Sequence, residues 1–283
     1  MDGILLLDKA SGVTSFKAIN TLRRKLGLTK VGHTGTLDPL ATGLMVVLVG
    51  KATKIADLFK EHSKEYVGEA IFGIKTDTLD ITGTILERND KIITASDIDS
   101  YIDYILKLND QKIPSYSAKK INGKKMYELA RKNKEIPDIR KPIEVYSFLR
   151  TSDVQNNCFS FQTSVSAGTF VREILNDLAA KVGTFSSLKT LRRTKIDDFS
   201  IEDAKTIDLI TISDIIDITK FLDKYQSIVL DDYLINLVRN GVVLDSRQII
   251  TEEPFRVLDK NNNLIALYKQ TDTKYTYKPV VIL

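Results

Sequence analysis

The most distinctive chemical feature of this 283-residue chain is a single carboxylate in a loop of small residues. Residues 32–43 read GHTGTLDPLATG, with three glycines and three threonines around Asp38. Pro39 follows directly and restricts Asp38 to an extended or turn conformation. Such a loop can present one acid rigidly, although a lone Asp before Pro is usually structural. A phosphate-binding loop is excluded, because Gly50-Lys51-Ala52 lacks the hydroxyl residue and the earlier glycine of the Walker pattern.

Positive charge is concentrated in two stretches of the chain. Residues 112–141 contain ten Lys or Arg against three Asp or Glu, and residues 181–195 contain five basic residues and no acid. Because the whole chain has a net charge of only +4, the remainder is net negative. Grouped cations suit a polyanion, since neutralising successive phosphates requires charges along the ligand. A solvated Lys-rich helix face is the alternative for the first stretch.

The elements that must position these groups follow one another in an irregular order. Thr14 or Ser15 caps an amphipathic helix that ends at Gly27. We expect residues 65–73 and 83–88 to pair as strands across a turn-rich segment. Irregular alternation of strands and helices argues for an α+β fold, with a mixed, mainly antiparallel sheet flanked by helices.

A shift in composition divides the chain into two parts. Residues 197–223 carry eight acids and two bases, which is typical of a hinge between domains. We therefore expect a large domain at residues 1–224, with a basic insertion at about 112–141. Residues 225–283 should form a small β-rich domain.

Overall composition narrows the class of protein. Hydrophobic residues make up 43% of the chain and charged residues 28%, which is typical of a globular protein with a sizeable core. The single Cys158 excludes an internal disulfide, and two histidines, His33 and His62, argue against a Cys/His metal site. The early apolar run Ile4-Leu5-Leu6-Leu7 is too short for a signal segment or membrane span. We expect a cytoplasmic protein.

The loop at residues 32–43 resembles the signature of the TruB-type tRNA pseudouridine-55 synthases, a branch of the pseudouridine synthase superfamily. Four further blocks fit this family in the same order. They are LLLDKASGVTS at 5–15, KEYVGEAIFGIKTDTLDITG at 64–83, QKIPSYSAKKINGKKMYELAR at 111–131, and GTFVREILNDLA with LRRT at 168–194. This resemblance implies a pseudouridine synthase catalytic domain, followed by a PUA-like RNA-binding domain.

The resemblance also implies a reaction, the isomerisation of uridine 55 in the TΨC loop of tRNA. Because that uridine lies inside a folded loop, the enzyme must flip it out of the stack. The C1′–N1 bond breaks, the uracil rotates, and C5 rejoins the ribose, which requires a nucleophile and no metal or redox cofactor. The family's nucleophile corresponds to Asp38, and attack at C1′ or at C6 both stay open.

Three further residues take catalytic or base-handling roles from the resemblance. Burial disfavours an ionised carboxylate, and the family's compensating arginine corresponds to Arg172. Tyr66 matches the active-site tyrosine that stacks on the target base. His33 matches the residue that fills the space left by the flipped nucleotide, where a planar polar ring can stack and form hydrogen bonds.

Further residues of the matching blocks are expected to bind RNA. Lys9 and Asp80 would contact the substrate or organise the pocket. Leu191 would form an apolar wall, and Arg192 and Arg193 would contact the RNA backbone or form salt bridges. The lysines of the basic insertion would neutralise phosphates, a positioning contribution that depends on salt; they are Lys119, Lys120, Lys124 and Lys125.

Two departures from the family pattern concern the expected site. Phe170 stands where the family has Tyr, and Asp197 stands where it has Gly, a residue that tolerates positive φ. The expected partner is the T-arm of tRNA, with no obligatory protein partner and a monomeric chain. The alternatives are a non-catalytic tRNA-binding or remodelling protein, and a pseudouridine synthase that acts on another RNA site.

Overall fold

The structure is a computed structural model that describes residues 1–59, 62–114, 116–117, 120–121, 124–126 and 139–283. Lys119 lies outside the described residues, and only the backbone is described for Lys120, Lys124 and Lys125. The phosphate contacts expected of these four lysines therefore stay predictions.

The described elements alternate between strands and helices. The strands, in chain order, are β1 (Gly3–Lys9), β2 (Val31–His33), β3 (Thr42–Val49), β4 (Lys64–Phe72), β5 (Ile74–Thr76), β6 (Ile85–Arg88), β7 (Asp110–Lys112), β8 (Lys120–Ile121), β9 (Lys124–Lys125), β10 (Arg140–Pro142), β11 (Val145–Arg150), β12 (Cys158–Val165), β13 (Ser186–Ile196), β14 (Phe199–Ser200), β15 (Ile216–Asp217), β16 (Ser227–Val229), β17 (Leu244–Asp245), β18 (Phe255–Leu258), β19 (Leu264–Gln270) and β20 (Thr276–Ile282). The α-helices are α1 (Ser15–Lys25), α2 (Ala95–Asp99), α3 (Ile102–Leu106), α4 (Val171–Val182), α5 (Ile218–Leu222) and α6 (Asp232–Arg239). Short 3₁₀ helices cover Gly50–Phe59, Ile201–Asp203 and Ile212–Asp214.

Within the described chain, nine strands form the central sheet. Its main order is β11-β12-β4-β13-β3-β1-β15, with β2 on β3 and β14 on β13. The pair β13 and β3 is parallel, and the other neighbours are antiparallel. The predicted α+β class with a mixed, mainly antiparallel sheet is therefore confirmed.

Both faces of this sheet are buried at its centre. Along β3, Met45 and Val47 point into the core that α4 covers, whereas Val46 and Leu48 point into a second core on the opposite face. Alternate residues of a strand face opposite sides, so a strand covered on both faces needs an unbroken apolar run. The second core also contains Leu267 from β19, which joins the C-terminal sheet to the central one.

The predicted pairing of residues 65–73 with residues 83–88 is wrong. β4 pairs with β12 and β13, whereas β6 pairs with the short strand β5. Gly73 separates β4 from β5 and has a φ of +87°, a conformation that glycine adopts without steric penalty. The chain therefore leaves the central sheet at Gly73 before it meets β6.

The C-terminal part forms its own sheet in the order β16-β18-β19-β20-β17. Its core includes Phe255, Tyr268 and Tyr277, and α6 packs on it through Ile235 and Val238. This curled β unit is consistent with the expected PUA-like domain. The boundary between residues 224 and 225 stays a prediction.

The basic insertion begins and ends on a two-stranded stem. β7 pairs antiparallel with β10, which places Gln111 opposite Lys141. The bidentate ion pair of Arg140 with Asp110 joins the same two strands, with Nε–Oδ2 at 2.6 Å and Nη2–Oδ1 at 2.9 Å. The stem thus fixes both ends of the segment that was predicted to clasp RNA.

Candidate active site

A cavity of about 570 Å³ lies beside the glycine- and threonine-rich loop. Its lining comes mainly from the loop at residues 34–38, β4, the turn that leads into α4, and β13, with further contributions from Phe59, Ile113 and Lys141. The structure thereby brings together five of the residues predicted for the site, namely Asp38, Tyr66, Arg172, Leu191 and Arg193. Residues that are more than 130 positions apart in sequence thus meet at one pocket.

Asp38 and Arg172 form the charged pair that the sequence predicts. The distance from Asp38 Oδ2 to Arg172 Nη1 is 3.4 Å, with 4% of the arginine side chain and 38% of the aspartate side chain exposed. Arg172 Nη2 donates to the carbonyl of Tyr116 at 2.6 Å, and Nη1 donates to that of Thr78 at 3.3 Å. A buried guanidinium with two backbone acceptors is held in place, whereas the carboxylate remains open to the cavity.

The loop that carries Asp38 is anchored from both sides. Ser15, at the start of α1, accepts a hydrogen bond from the Leu37 amide and donates to the Leu37 carbonyl, both at 2.8 Å. The ammonium of Lys9 donates to the carbonyls of Val13 at 2.7 Å and Pro39 at 3.4 Å. Residues on either side of Asp38 are therefore fixed, which limits the movement of its carboxylate.

Lys9 is a buried cation rather than a surface contact. It is 1% exposed, and its pKa is lowered to about 8. Burial is the main cause, Asp38 acts in the opposite direction, and the charge of Arg193 adds to the lowering. The sequence left open whether Lys9 contacts substrate or organises the pocket. Its backbone partners in the loop favour the organising role.

Tyr66 and Leu191 supply the apolar walls of the cavity. Tyr66 is 6% exposed and lies on β4 between Thr163 of β12 and Arg193 of β13. Leu191 is 9% exposed and lines the same space from β13. A phenol ring and a branched side chain beside the carboxylate give a planar base surfaces on which to pack.

Asp80 organises the turn that supports Arg172. Its Oδ1 atom accepts from the Thr78 hydroxyl at 3.0 Å and from the Thr82 amide at 2.9 Å. The Thr78 carbonyl in this turn is one of the acceptors for Arg172. Asp80 is 6% exposed, so it acts from inside the turn and not at its surface.

The remaining predicted residues lie around the cavity. His33 ends β2, and burial lowers its pKa, with a further lowering by Arg193. Arg193 is 1% exposed and donates to the carbonyls of Leu44 at 2.7 Å and Gly35 at 3.1 Å. Arg192 instead forms a bidentate ion pair with Asp8, at 2.7 and 3.0 Å.

Both departures from the family pattern have local partners. The Phe170 ring lies between two cations, with Lys141 Nζ at 5.0 Å and Arg172 Cζ at 5.7 Å from its centroid. Asp197 adopts a φ of +51°, and its Oδ2 lies 3.4 Å from Nδ1 of His62. The positive φ associated with glycine is thus retained at Asp197.

Sequence reasoning missed Lys64 as a residue of the site. It lines the cavity, is 6% exposed and donates to the His62 carbonyl at 2.8 Å. The pKa of Lys64 is lowered to about 8, mainly by burial and also by the charges of Arg193 and Lys141, while Asp197 acts in the opposite direction. Its spacing could have identified it. Lys64 lies two residues before Tyr66 on the same strand, so the two side chains share one face of the sheet.

The described lining of the cavity contains one carboxylate, Asp38, and four cationic side chains, Lys64, Lys141, Arg172 and Arg193. Its electrostatics favour an anionic ligand. Among the residues that the structure describes, no group of three or more His, Cys, Asp or Glu could hold a metal ion. No helix in the described ranges is long and apolar enough to cross a membrane.

The fold is shared with known structures. The chain superposes on a chain of the crystal structure of a Cbf5–Nop10–Gar1 complex with a TM-score of 0.70 and 19% identity, covering 96% of this chain and 79% of that one. It also matches a chain of the archaeal box H/ACA sRNP Nop10–Cbf5 complex with a TM-score of 0.65 and 20% identity, covering 95% and 79%. This chain therefore shares its fold, including the C-terminal β unit, with these two solved chains.

Sequence similarity then gives the family. Residues 23–171 match the TruB family pseudouridylate synthase N-terminal domain. The tRNA pseudouridine synthase B of Acholeplasma laidlawii (strain PG-8A) is 41% identical over 278 residues, covering 98% of this chain and 99% of the relative. That of Bacillus anthracis is 34% identical over 284 residues, covering 95% and 92%. The chain belongs to the TruB family of pseudouridylate synthases, as predicted from its sequence blocks.

Proposed function

We propose that this protein is a tRNA pseudouridine synthase that isomerises uridine 55 in the TΨC loop. The observation that carries the proposal is the Asp38–Arg172 pair, 3.4 Å apart at a cavity large enough for a nucleotide base. Family relatives of this chain are named tRNA pseudouridine synthase B, which supports the same activity.

The chemistry assigned to these residues begins with a flipped uridine in the cavity. Asp38 attacks either C1′, which displaces the uracil from the ribose, or C6 of the uracil, which precedes cleavage of the C1′–N1 bond. Either attack forms a covalent bond between the carboxylate and that carbon. After the uracil rotates, C5 bonds to C1′ and the carboxylate is released. The C5 proton is lost to solvent and N1 gains a proton, so the product has the same composition as the substrate. Tyr66 packs against the base, and Arg172 orients the carboxylate of Asp38.

RNA recognition is assigned to the surfaces around the cavity. His33 fills the space vacated by the uridine. Lys120, Lys124 and Lys125, together with Lys119, neutralise phosphates of the T-arm, and residues 225–283 form a PUA-like module that adds affinity. Arg192, whose side chain is 40% exposed, contacts the RNA backbone beside the cavity, and Arg193 lines the cavity itself.

We also propose that the chain acts as a monomer in the cytoplasm without an obligatory protein partner. The similar solved chains come from complexes with Nop10, and in one case also Gar1. In this proposal the present chain differs from them because it needs no such protein partner. Light scattering of the purified protein, alone and with tRNA, measures its mass. A dimer, or activity only after a cell extract is added, would contradict the proposal.

Replacing Asp38 by Asn tests the catalytic assignment. We expect tRNA binding to be retained and pseudouridine formation to be lost, because an amide is not a nucleophile under these conditions. Release of tritium from tRNA labelled at C5 of its uridines measures turnover, and mapping of the modified position tests for residue 55. Asp103→Asn, the same change at an exposed position of α3, is the matched control. Turnover by the Asp38 variant would refute the nucleophile, and modification elsewhere would refute the target.

A further inference from the structure

Gln111 is a fully buried side chain that binds the backbone of a single residue at two points. Its Oε1 accepts from the Phe170 amide at 2.8 Å, and its Nε2 donates to the Phe170 carbonyl at 3.0 Å. Gln111 is 0% exposed, so these bonds form away from water, where an unpaired amide would be costly. The carboxamide therefore has a defined position, and so does the peptide that it holds.

The residue held by Gln111 is the cap of the helix that carries Arg172. Phe170 precedes α4, has a φ of −97° and a ψ of 107°, and provides no side-chain cap of its own. Its carbonyl accepts from the Glu173 and Ile174 amides at 3.0 and 3.3 Å and so begins the helix. Arg172 follows two residues later. The direction in which Arg172 leaves the helix thus depends on a peptide fixed by Gln111.

Gln111 belongs to the stem of the basic insertion. It lies on β7, opposite Lys141 of β10. Lys141 in turn donates to the Gly168 carbonyl and lies over the Phe170 ring. From within the insertion, the Tyr116 carbonyl accepts from Arg172 Nη2 at 2.6 Å. Three contacts therefore tie the stem and the start of the insertion to the turn and arginine that face Asp38.

We propose that Gln111 is a positioning residue that couples the basic insertion to the Asp38–Arg172 pair. When the insertion binds RNA, Gln111 keeps the stem and the peptide at Phe170 in a fixed relative position. Arg172 therefore stays within contact distance of the Asp38 carboxylate. This inference rests on the proposed function, since it concerns the same catalytic pair. It adds a route by which RNA binding at the insertion supports the chemical step.

Replacing Gln111 by Leu removes both hydrogen bonds at similar volume. We expect the single-turnover rate at saturating tRNA to fall by about 10- to 100-fold, since small displacements of catalytic groups have effects of this size. The dissociation constant for tRNA should change by less than about threefold, because the phosphate contacts remain. Gln162→Leu, the same change at an exposed position of β12, is the control and should leave both values unchanged.

Replacing Gln111 by Glu separates positioning from a general loss of folding. A protonated carboxyl has one acceptor and one donor, as the amide does, so it can reproduce both bonds to Phe170. Burial favours that neutral form. At pH 6 we expect the single-turnover rate of the Glu variant to be within about threefold of the wild-type rate. The Leu variant should show no such recovery.

The neighbouring charged groups titrate in wild type and variant alike, so dividing by the wild-type rate at each pH removes their effect. The charged groups on β7 and on the elements packed against it are Asp110, Lys112, Arg140, Lys141, Arg172, Glu173, Asp177 and Lys181. Thermal unfolding of each variant gives its folded fraction. A wild-type rate in the Leu variant, or a Glu variant as slow as the Leu variant at pH 6, would overturn the inference. Absence of turnover in the wild-type protein would instead contradict the proposed function.

Discussion

At the scale of single residues, the site combines one open carboxylate with one enclosed guanidinium. Arg172 has three polar partners: Nη1 contacts Asp38 and the carbonyl of Thr78, and Nη2 contacts the carbonyl of Tyr116. A planar guanidinium has five N–H donors in a fixed arrangement and can serve all three partners together, whereas an ammonium is a single point charge on a flexible stem. The position of the positive charge, and not only its presence, should therefore matter.

Replacing Arg172 by Lys tests this point. We expect the single-turnover rate to fall by roughly 100-fold or more, a size typical of losing a preorganised electrostatic contact, with little change in tRNA affinity. Rapid-mixing measurements at saturating tRNA give the rate, and filter binding gives the affinity. Arg150→Lys makes the same change in a partly exposed ion pair with Asp99, away from the cavity, and should leave the rate intact. Near-normal turnover in the Arg172 variant would show that charge alone suffices.

At the scale of elements, the first turn of α4 places a buried acid beside Arg172. Glu173 is 6% exposed, and its pKa is raised to about 7, mainly by burial. The charge of Asp177 also raises this pKa, whereas those of Arg172 and Lys112 lower it. Between about pH 4.5 and 7 the folded chain holds a proton at Glu173 that the unfolded chain releases. The free energy of unfolding therefore falls as pH rises through this window, and the penalty is complete above pH 7.

Replacing Glu173 by Gln should accordingly stabilise the protein at alkaline pH. A shift of this size corresponds to a gain on the order of 3 kcal/mol at pH 8, and the gain should shrink towards zero near pH 4.5. Urea unfolding at several pH values measures the difference. Glu202→Gln, at an exposed position, is the control and should show no such trend. A pH-independent gain would mean that packing, rather than ionisation, accounts for it.

Elements with local signals were predicted well, and contacts between distant elements were not. α1 begins as expected because the Thr14 side chain accepts from the Lys17 amide, a signal contained within four residues. The partner of β4 could not be read in the same way, since β12 and β13 lie far along the chain. Periodicity reports which face of a strand is buried but carries no information on its neighbour.

The same limit applies to the site. Asp38, Tyr66 and Arg172 were found because each lies in a block that resembles the family. The carbonyl groups that accept from Arg172 are backbone groups, which every residue has, so the amino-acid types at these positions do not reveal them. Gln111 acts through the peptide of Phe170, nearly sixty residues away, so its role depends on a tertiary contact that no local pattern encodes.

At the scale of the whole molecule, charge and architecture both favour a polyanion as the ligand. The basic insertion, which has ten Lys or Arg among residues 112–141, leaves the body on a stem that contacts the turn into α4. The cavity beside that turn has several cations around one carboxylate. A polyanion that spans the insertion and the cavity would neutralise both groups of charges, whereas the rest of the chain is net negative and would repel it.

This arrangement predicts the salt dependence of tRNA binding. If Lys119, Lys124 and Lys125 each neutralise a phosphate, their joint replacement by Ala should weaken binding and reduce the slope of log affinity against log salt by about 2 to 3. The comparison is a triple Ala variant of Lys107, Lys220 and Lys278, exposed lysines outside both basic stretches. It has the same change in net charge and should keep the wild-type slope. Equal slopes for all three proteins would show that the insertion is a solvated face, and that RNA affinity arises elsewhere on the molecule.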